Sequence, residues 1–147
     1  MAPKRWPFVR SSSKIDKDVA GELGVSNNCL VPRGDIKLGK QLGCGAFGTV
    51  YTCKVADAEE TLVAKLITVK NMRKEDADLF QMEVKVWSKL DHPSCVKFKG
   101  VCLGPDEHIL LCTYCAGGSL AERHAMCLRT GAEPVSSATL VKMALAL

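Results

Sequence analysis

The chain has 147 residues, of which 47% are hydrophobic and 24% charged, and its formal net charge at pH 7 is +4. This length accommodates one domain with a hydrophobic core, and the composition excludes a disordered protein. The sequence has neither an apolar run of membrane-spanning length nor the apolar block of a signal peptide. It therefore predicts a cytoplasmic protein that does not associate with membranes.

The excess positive charge lies at the N-terminus. Four basic residues precede Asp16, the first acidic residue, and the rest of the chain is electrically balanced. No nucleic-acid partner is therefore expected. Residues 1–34 are rich in Ser, Lys, Pro and Gly and have no sustained hydrophobic period. This pattern predicts a flexible basic leader, with a short helical turn near residues 17–23.

A glycine-rich stretch begins at Gly43 and reads G-x-G-x-x-G-x-V up to Val50. Glycines at this spacing let the backbone turn tightly and approach a polyphosphate, because no Cβ blocks the approach. The same spacing occurs in dinucleotide-binding folds and in loops that bind nothing. Ile36 and Leu38 precede the glycines at alternate positions, which predicts a half-buried strand before them.

The residues after the glycines distinguish these alternatives. The segment 49–55 is dense in β-branched and aromatic residues, which predicts a strand. A dinucleotide-binding fingerprint needs its glycines to begin a helix, whose N-terminus receives the pyrophosphate. The sequence therefore favours a hairpin that covers phosphates and disfavours a dinucleotide-dependent enzyme.

A third strand is predicted over residues 61–69. Alternation places Lys65 on the same face as Val63, Ile67 and Val69. A buried ammonium group is costly without an anion, so this lysine is expected to have an acidic partner. The alternative is a lysine at the strand end whose ammonium group reaches water.

A helix is predicted over residues 76–90, with Leu79, Val86 and Leu90 on its core-facing stripe. Glu83 falls on the same stripe and also needs a partner. Lys65 and Glu83 satisfy one another if the helix packs on the sheet. The alternative for Glu83 is a position at the boundary, where the carboxylate reaches solvent.

Two further strands are predicted over residues 96–103 and 108–114, followed by a break at Gly117 and Gly118. Ser119 and Glu122 form the capping box of another helix. A last helix is predicted from residue 136 or 137 to the end of the chain, with Leu140, Met143, Ala144 and Leu147 on one face.

The eight cysteines are scattered, mostly within apolar segments. Without a secretory signal, they are expected to be reduced and buried. Cys112 and Cys115 form one C-x-x-C pair, and His92 with Cys95 would complete a zinc set. This alternative is disfavoured because structural zinc sites usually have two paired knuckles, so no metal site is predicted.

Together, the glycine stretch, the strand lysine, the helix glutamate and the Gly-Gly-Ser-Leu segment resemble the N-terminal lobe of a eukaryotic protein kinase. The resemblance runs from about Ile36 to Leu147 and is greatest to the tyrosine-kinase-like group, whose members mostly phosphorylate serine and threonine. It implies an α+β fold, in which a five-stranded antiparallel sheet with one packed helix is followed by a hinge and one or two helices of an incomplete C-lobe. The predicted division is an N-lobe over residues 35–112, a hinge over 113–118 and the beginning of a C-lobe over 119–147.

The resemblance also assigns roles to individual residues. Lys65 would hold the α- and β-phosphates of ATP while paired with Glu83. The phosphate flap would consist of Gly43, Gly45 and Gly48, with Phe47 at its tip. The roof over adenine would consist of Leu42, Val50 and Val63. The gatekeeper would be Cys112, and the hinge would be Thr113 to Cys115.

Two departures from the family pattern are evident. The family's Val-Ala-x-Lys motif is one residue shorter here, so Val63 would take the place of the small alanine above adenine. The sequence also contains no His-Arg-Asp, Asp-Phe-Gly or Ala-Pro-Glu motif. The catalytic aspartate and the Mg²⁺ ligands belong to such motifs.

The resemblance implies ATP and a protein substrate as partners, with Mg²⁺ only in a complete kinase. The first hypothesis is therefore the ATP-binding part of a serine/threonine kinase, represented by an incomplete chain that is inactive alone. The alternative is a non-catalytic module that binds nucleotide or docks on a partner protein through the exposed C-terminal helix.

Overall fold

The computed structural model describes residues 20–45, 48–70 and 72–145. These residues form two compact units, one ending at Tyr114 and the other beginning at Cys115. Phe47 and Leu147, which the sequence assigns to the tip of the flap and to the last helix, lie outside the described residues.

The first unit is built on a five-stranded antiparallel sheet with the order β1-β2-β3-β5-β4. Its strands lie close to the predicted positions, and β1 and β2 extend into the glycine stretch as far as Gly45 and Gly48. They are β1 Ile36–Gly45, β2 Gly48–Val55, β3 Leu62–Thr68, β4 Phe98–Leu103 and β5 Glu107–Thr113. One helix, α1 (Lys74–Trp87), packs on this sheet. The predicted five-stranded sheet and the helix packed on it are therefore confirmed.

The second unit contains helices α2 (Leu120–Thr130) and α3 (Ser137–Leu145). The predicted capping box is present, since the Ser119 hydroxyl accepts from the Glu122 amide at 3.2 Å and the Ser119 amide donates to the Glu122 carboxylate at 2.6 Å. The hydrogen bonds that the Ser119 amide and hydroxyl donate to the Glu122 carboxylate lower the pKa of Glu122. Gly131 ends α2 in the left-handed conformation, where glycine has no steric cost.

Alternate side chains of each strand point to opposite faces of the sheet, and buried apolar residues lie on both faces. The helix-side cluster combines sheet residues, residues of α1 and residues from before the sheet: Ala20, Leu23, Cys29, Leu30, Phe80, Val84, Phe98, Val101 and Leu110. The opposite face carries a second cluster, which comprises Val31, Ile36, Cys53, Val55, Leu62, Ala64, Cys102, Ile109 and Leu111.

The predicted core-facing stripe of α1 is wrong. Leu79 and Val86 are 59% and 61% exposed, and Leu90 follows the end of the helix and is also exposed. The helix buries Phe80 and Val84 instead. Both sets of residues recur at helical spacing, so periodicity alone does not decide which of them faces the sheet.

The prediction of a flexible leader is wrong for residues 20–34. Ala20, Leu23 and Leu30 are at most 7% exposed and belong to the helix-side cluster. Residues 20–23 are helical, and two 3₁₀ turns follow at Asn27–Cys29 and Arg33–Asp35. The apolar residues of this segment have no sustained period, but nearly all of them are buried by contacts distant in sequence, which a local pattern cannot show.

The cysteines are more varied than expected. Cys29, Cys53, Cys102 and Cys127 are buried, whereas Cys44 and Cys115 are exposed. Burial raises the pKa of Cys53 to about 11, so its thiol stays protonated at neutral pH.

Among the residues that the structure describes, no helix is both long and apolar enough to cross a membrane.

His108 makes the stability of the first unit depend on pH. Its ring lies 4.8 Å from that of Phe80 on α1, and desolvation lowers the pKa of His108 below its ordinary value of 6.5. As the pH falls, His108 therefore binds a proton in the unfolded chain before it does so in the folded one. Its contribution to the free energy of unfolding is fully present above pH 6.5 and is lost as the pH falls below this value. We expect a lower free energy of unfolding in urea at pH 5.5 than at pH 7.5.

The control is a pair of single variants. His108→Phe keeps an aromatic ring beside Phe80 and is expected to reduce the difference between the two pH values. His92→Asn, at an exposed position, is expected to leave it unchanged. Equal pH dependence in wild type and His108→Phe would contradict the assignment.

Candidate functional site

A cavity of about 720 Å³ lies in the first unit, beside the glycine turn, strand β3 and helix α1. Its walls bring together residues that are far apart in the sequence. They are Gly45, Gly48, Thr49, Lys65, Ile67, Thr68, Lys70, Met72, Arg73, Asp76, Leu79, Phe80 and Glu83. Four of these, Gly45, Gly48, Lys65 and Glu83, are predicted site residues.

Lys65 and Glu83 meet in this cavity. The Lys65 Nζ atom donates to Glu83 Oε1 at 3.3 Å, and the two side chains are 29% and 44% exposed. The sequence correctly predicts that the residues meet, but the expected burial is wrong because this face of β3 is only partly covered. Ion pairs this exposed contribute about 0.2–1 kcal/mol to stability, so the main consequence of the contact is the position of the ammonium group.

The glycine turn joins β1 to β2, and Gly45 pairs with Gly48. Gly48 has φ +115°, and a Cβ atom there would lie 2.0 Å from the carbonyl oxygen of Leu66 on β3. Only glycine fits this close contact between the turn and the lysine strand. Gly43 and Gly45 differ, because a Cβ atom at either position would meet no atom of the described residues within 4 Å. This side of the turn is open to a ligand.

The strand register places apolar side chains on the same sheet face as Lys65. Val50 pairs directly with Lys65, and Val63 pairs with Cys112 two positions along β3. Cross-strand partners share a face, so these side chains form a partly exposed apolar surface beside the ammonium group.

The other predicted adenine contacts are more scattered. Leu42 lies at an irregularity of the pairing between β1 and β2 and is 43% exposed. Thr113 is the last residue of β5, and its amide donates to the Lys97 carbonyl at 3.1 Å. Cys115 is an exposed residue of the second unit.

The sequence interpretation missed several polar residues of the cavity, including Lys70, Arg73 and Asp76. Arg73 Nε pairs with Asp76 Oδ2 at 3.0 Å, and this contact raises the pKa of Arg73. The signal was present, since Lys70 and Arg73 follow the lysine strand by a few residues and precede the helix. With Lys65 and Glu83, the cavity contains three basic and two acidic side chains, a balance that favours an anionic ligand.

In the described parts of the chain, no three His, Cys, Asp or Glu side chains are grouped to hold a metal ion. The acidic groups of the cavity, Glu83 and Asp76, are engaged by Lys65 and Arg73. The arrangement can therefore bind and orient an anion through its basic side chains.

Comparison with known proteins identifies the family. Residues 36–147 match the family model for "protein tyrosine and serine/threonine kinase". The chain is 38% identical to cell division control protein 7 of Schizosaccharomyces pombe over 85 residues, which are 58% of this chain and 8% of that protein.

Two further relatives match a larger share of the chain. Cytokinesis protein sepH of Aspergillus niger is 34% identical over 118 residues, 80% of this chain and 8% of that protein. Serine/threonine-protein kinase Nek11 of Homo sapiens is 33% identical over 112 residues, 73% of this chain and 17% of that protein. The chain thus spans less than a fifth of the length of these relatives. The sheet with its packed helix matches the N-lobe of the family, and the chain belongs to the protein tyrosine and serine/threonine kinases.

Proposed function

We propose that this chain is the ATP-binding part of a protein kinase that transfers the γ-phosphate of ATP to serine or threonine residues of proteins. The observation that carries the proposal is the 3.3 Å contact between Lys65 and Glu83 in the cavity beside the glycine turn. Relatives such as Nek11 are named serine/threonine-protein kinases, which supports the choice of acceptor.

In this proposal Lys65 contacts the α- and β-phosphates, and Glu83 holds the ammonium group in place. A lysine side chain has many rotamers, so an acceptor at 3.3 Å restricts the positions of Nζ before the nucleotide arrives. Gly43 and Gly45 leave room for the phosphates to approach the backbone, while Gly48 keeps the turn against β3. Phe47 would lie at the tip of this flap.

The adenine ring would lie on the apolar surface formed by Val50, Val63 and Cys112, with Leu42 on the neighbouring strand. Thr113 and Cys115 would contribute the hinge backbone that hydrogen-bonds the adenine edge. Val63 has a larger side chain than the alanine of the family motif, so adenine would be held more tightly or displaced slightly.

ATP fits the residues of this site, because the cavity has a basic majority and an apolar surface adjoins it. A Mg²⁺ ion bound with ATP neutralises phosphate charge in this family. Its protein ligands would come from motifs that these 147 residues do not contain. The catalytic aspartate belongs to the same missing set. We therefore propose that the 147-residue polypeptide binds ATP and transfers no phosphate by itself.

We further propose the division into an N-lobe over 35–112, a hinge over 113–118 and the beginning of a C-lobe over 119–147. The boundary between the two compact units, at Tyr114 and Cys115, falls within the proposed hinge and supports this division. The proposed compartment is the cytoplasm, and the proposed partners are ATP and a protein substrate.

A second candidate function is a non-catalytic module that docks on a partner protein. The supporting observation is α3, where Leu140, Val141 and Met143 are 44%, 56% and 46% exposed. A partner that covered this helix would bury an apolar surface that seldom stays exposed in a soluble protein. Loss of partner binding in Val141→Asp, with nucleotide affinity unchanged, would favour this role.

Nucleotide titration by calorimetry tests the principal proposal. We expect the protein to bind ATP in preference to NAD⁺, and Lys65→Met to weaken ATP binding at least about tenfold, or roughly 1.4 kcal/mol, as for loss of a charged hydrogen bond. Lys37→Met, which removes an exposed lysine of β1 outside the cavity, is the matched control and should bind normally. Equal affinity of the two variants, or no preference for ATP, would refute the proposed site.

A phosphotransfer assay tests the proposed inactivity. We expect no transfer of radiolabelled γ-phosphate from ATP to a general protein substrate by the 147-residue polypeptide. Incorporation that Lys65→Met abolishes would show that this part of the proposal is wrong.

A further inference from the structure

Residues 20–31, here called the N-terminal segment, follow a path fixed by their own hydrogen bonds. Gly24, at φ +64°, ends the helical residues 20–23. The Gly24 amide donates to the Gly21 carbonyl at 3.1 Å, and the Val25 amide donates to the Ala20 carbonyl at 3.0 Å. This pair of bonds is a Schellman motif, which turns the chain sharply at the end of a helix.

The segment then attaches to the edge of the sheet. Leu30 forms a parallel bridge with Val101 of edge strand β4, and the Val31 amide donates to the Val101 carbonyl at 2.8 Å. Gly100 permits this approach, because a Cβ atom there would lie 2.9 Å from the Cys29 carbonyl oxygen. The segment therefore pairs with the free edge of β4 at Val101.

The same segment covers α1. Leu23 and Leu30, 5% and 7% exposed, belong to the cluster that contains Phe80 and Val84, the only residues of α1 that are buried. At Gly24, the position of a Cβ atom lies 3.4 Å from the aliphatic chain of Lys85. The helix is thus held between the sheet and the N-terminal segment.

This packing fixes the direction of Glu83. Successive helix residues are about 100° apart around the axis, so the orientation of Val84 determines that of its neighbour Glu83. Val84 is 0% exposed, whereas Glu83 reaches into the cavity and meets Lys65. A rotation of α1 that released Val84 would also carry the carboxylate away from the ammonium group.

We propose that the N-terminal segment is a positioning element of the nucleotide site, in which Leu23 and Leu30 hold α1 so that Glu83 meets Lys65. The proposal rests on the proposed function, since it concerns the same cavity. It extends the site to residues that contact neither Lys65 nor the cavity. A protein or modification that removed the segment from β4 would weaken ATP binding without touching the cavity.

The test compares two cavity-forming variants of the full chain. Leu23→Ala removes a residue of the N-terminal segment, and Ile36→Ala removes one of similar size and burial, 4% exposed, from the opposite-side cluster. We expect Leu23→Ala to weaken ATP binding about fivefold, or roughly 1 kcal/mol at 1.4 kcal/mol per tenfold, and Ile36→Ala to bind normally.

Glu83→Gln in each background shows whether the effect passes through the ion pair. In wild type and in Ile36→Ala, this change should weaken ATP binding to the same extent. In Leu23→Ala it should cause little further loss. Independent, additive effects of Leu23→Ala and Glu83→Gln would overturn the proposal.

Hydrogen exchange without nucleotide gives a readout separate from ATP binding. We expect amides of α1 to exchange faster in Leu23→Ala than in Ile36→Ala, and equal exchange would overturn the proposal. If wild type binds no ATP, the proposed function fails and the exchange result alone decides the positioning role. Should either alanine variant fail to fold, Leu23→Val and Ile36→Val give the same comparison with smaller cavities.

Discussion

Gly48→Ala is expected to destabilise the first unit by about 3 kcal/mol or more, because it combines a forbidden backbone conformation with a steric clash. The φ angle of +115° is one that L-residues rarely adopt. The added Cβ would lie 2.0 Å from the Leu66 carbonyl oxygen, and that atom belongs to the backbone of β3. The strand would have to move, and Lys65 with it. Urea unfolding followed by circular dichroism measures the loss.

Gly45→Ala is the matched control on the other side of the same turn. Among the residues that the structure describes, none comes within 4 Å of a Cβ atom built at Gly45, so the free energy of unfolding of Gly45→Ala should differ from that of wild type by less than about 0.5 kcal/mol. Similar stabilities for the two variants would show that the turn does not pack against β3 as described. A large loss of free energy of unfolding in both variants would show that the space beside Gly45 is occupied.

Leu110→Ala is expected to reduce the free energy of unfolding by about 2–5 kcal/mol, the usual range for a buried leucine. Leu110 is 1% exposed and belongs to the helix-side cluster, together with Phe80, Val84 and Val101. Its loss would leave a cavity beneath α1. The measurement is again urea unfolding, with the slope checked to confirm a two-state transition.

Leu79→Ala is the control for this prediction. The sequence pattern places Leu79 in the core, whereas the structure leaves it 59% exposed. We therefore expect a change within about 0.5 kcal/mol. A loss comparable to that of Leu110→Ala would mean that the sequence pattern identified the buried face of α1 and that the structure does not.

The sheet and its lysine could be predicted because their signals are local. Gly48 must be glycine, and the β-branched residues from Thr49 to Val55 exclude a helix after it. Alternation then places Lys65 on the face of Val63, and the register confirms that placement, since Val63 pairs with Cys112 and Lys65 with Leu110 without an irregularity between them. Each of these inferences needed only a few neighbouring residues.

The packing of α1 could not be predicted in the same way. Leu79 and Val86 form one apolar stripe, and Phe80 and Val84 form another. The second stripe is buried because β4 and β5 contribute Phe98, Val101 and Leu110 to its cluster, and those residues are distant in the sequence. The pairing of Lys65 with Glu83 could nevertheless be predicted, because a lysine on an apolar strand face needs an acidic partner.

The N-terminal segment was missed for a related reason. Its apolar residues follow no regular period, yet Leu23 and Leu30 are buried in the cluster shared with β4 and α1. Gly24 was the one local signal, since glycine commonly ends a helix in the left-handed conformation. That signal indicates order in the segment but does not indicate where it packs.

Covalent labelling with an acyl phosphate of ATP tests the central claim most directly. Such a reagent transfers its acyl group to an amine held beside the phosphates, and peptide mass spectrometry then identifies the lysine. If Lys65 lies at the phosphates of bound ATP, it should be the principal labelled residue, and excess ATP should suppress the label. Labelling spread over Lys37, Lys54 and other lysines outside the cavity, with no effect of ATP, would contradict the proposed nucleotide site.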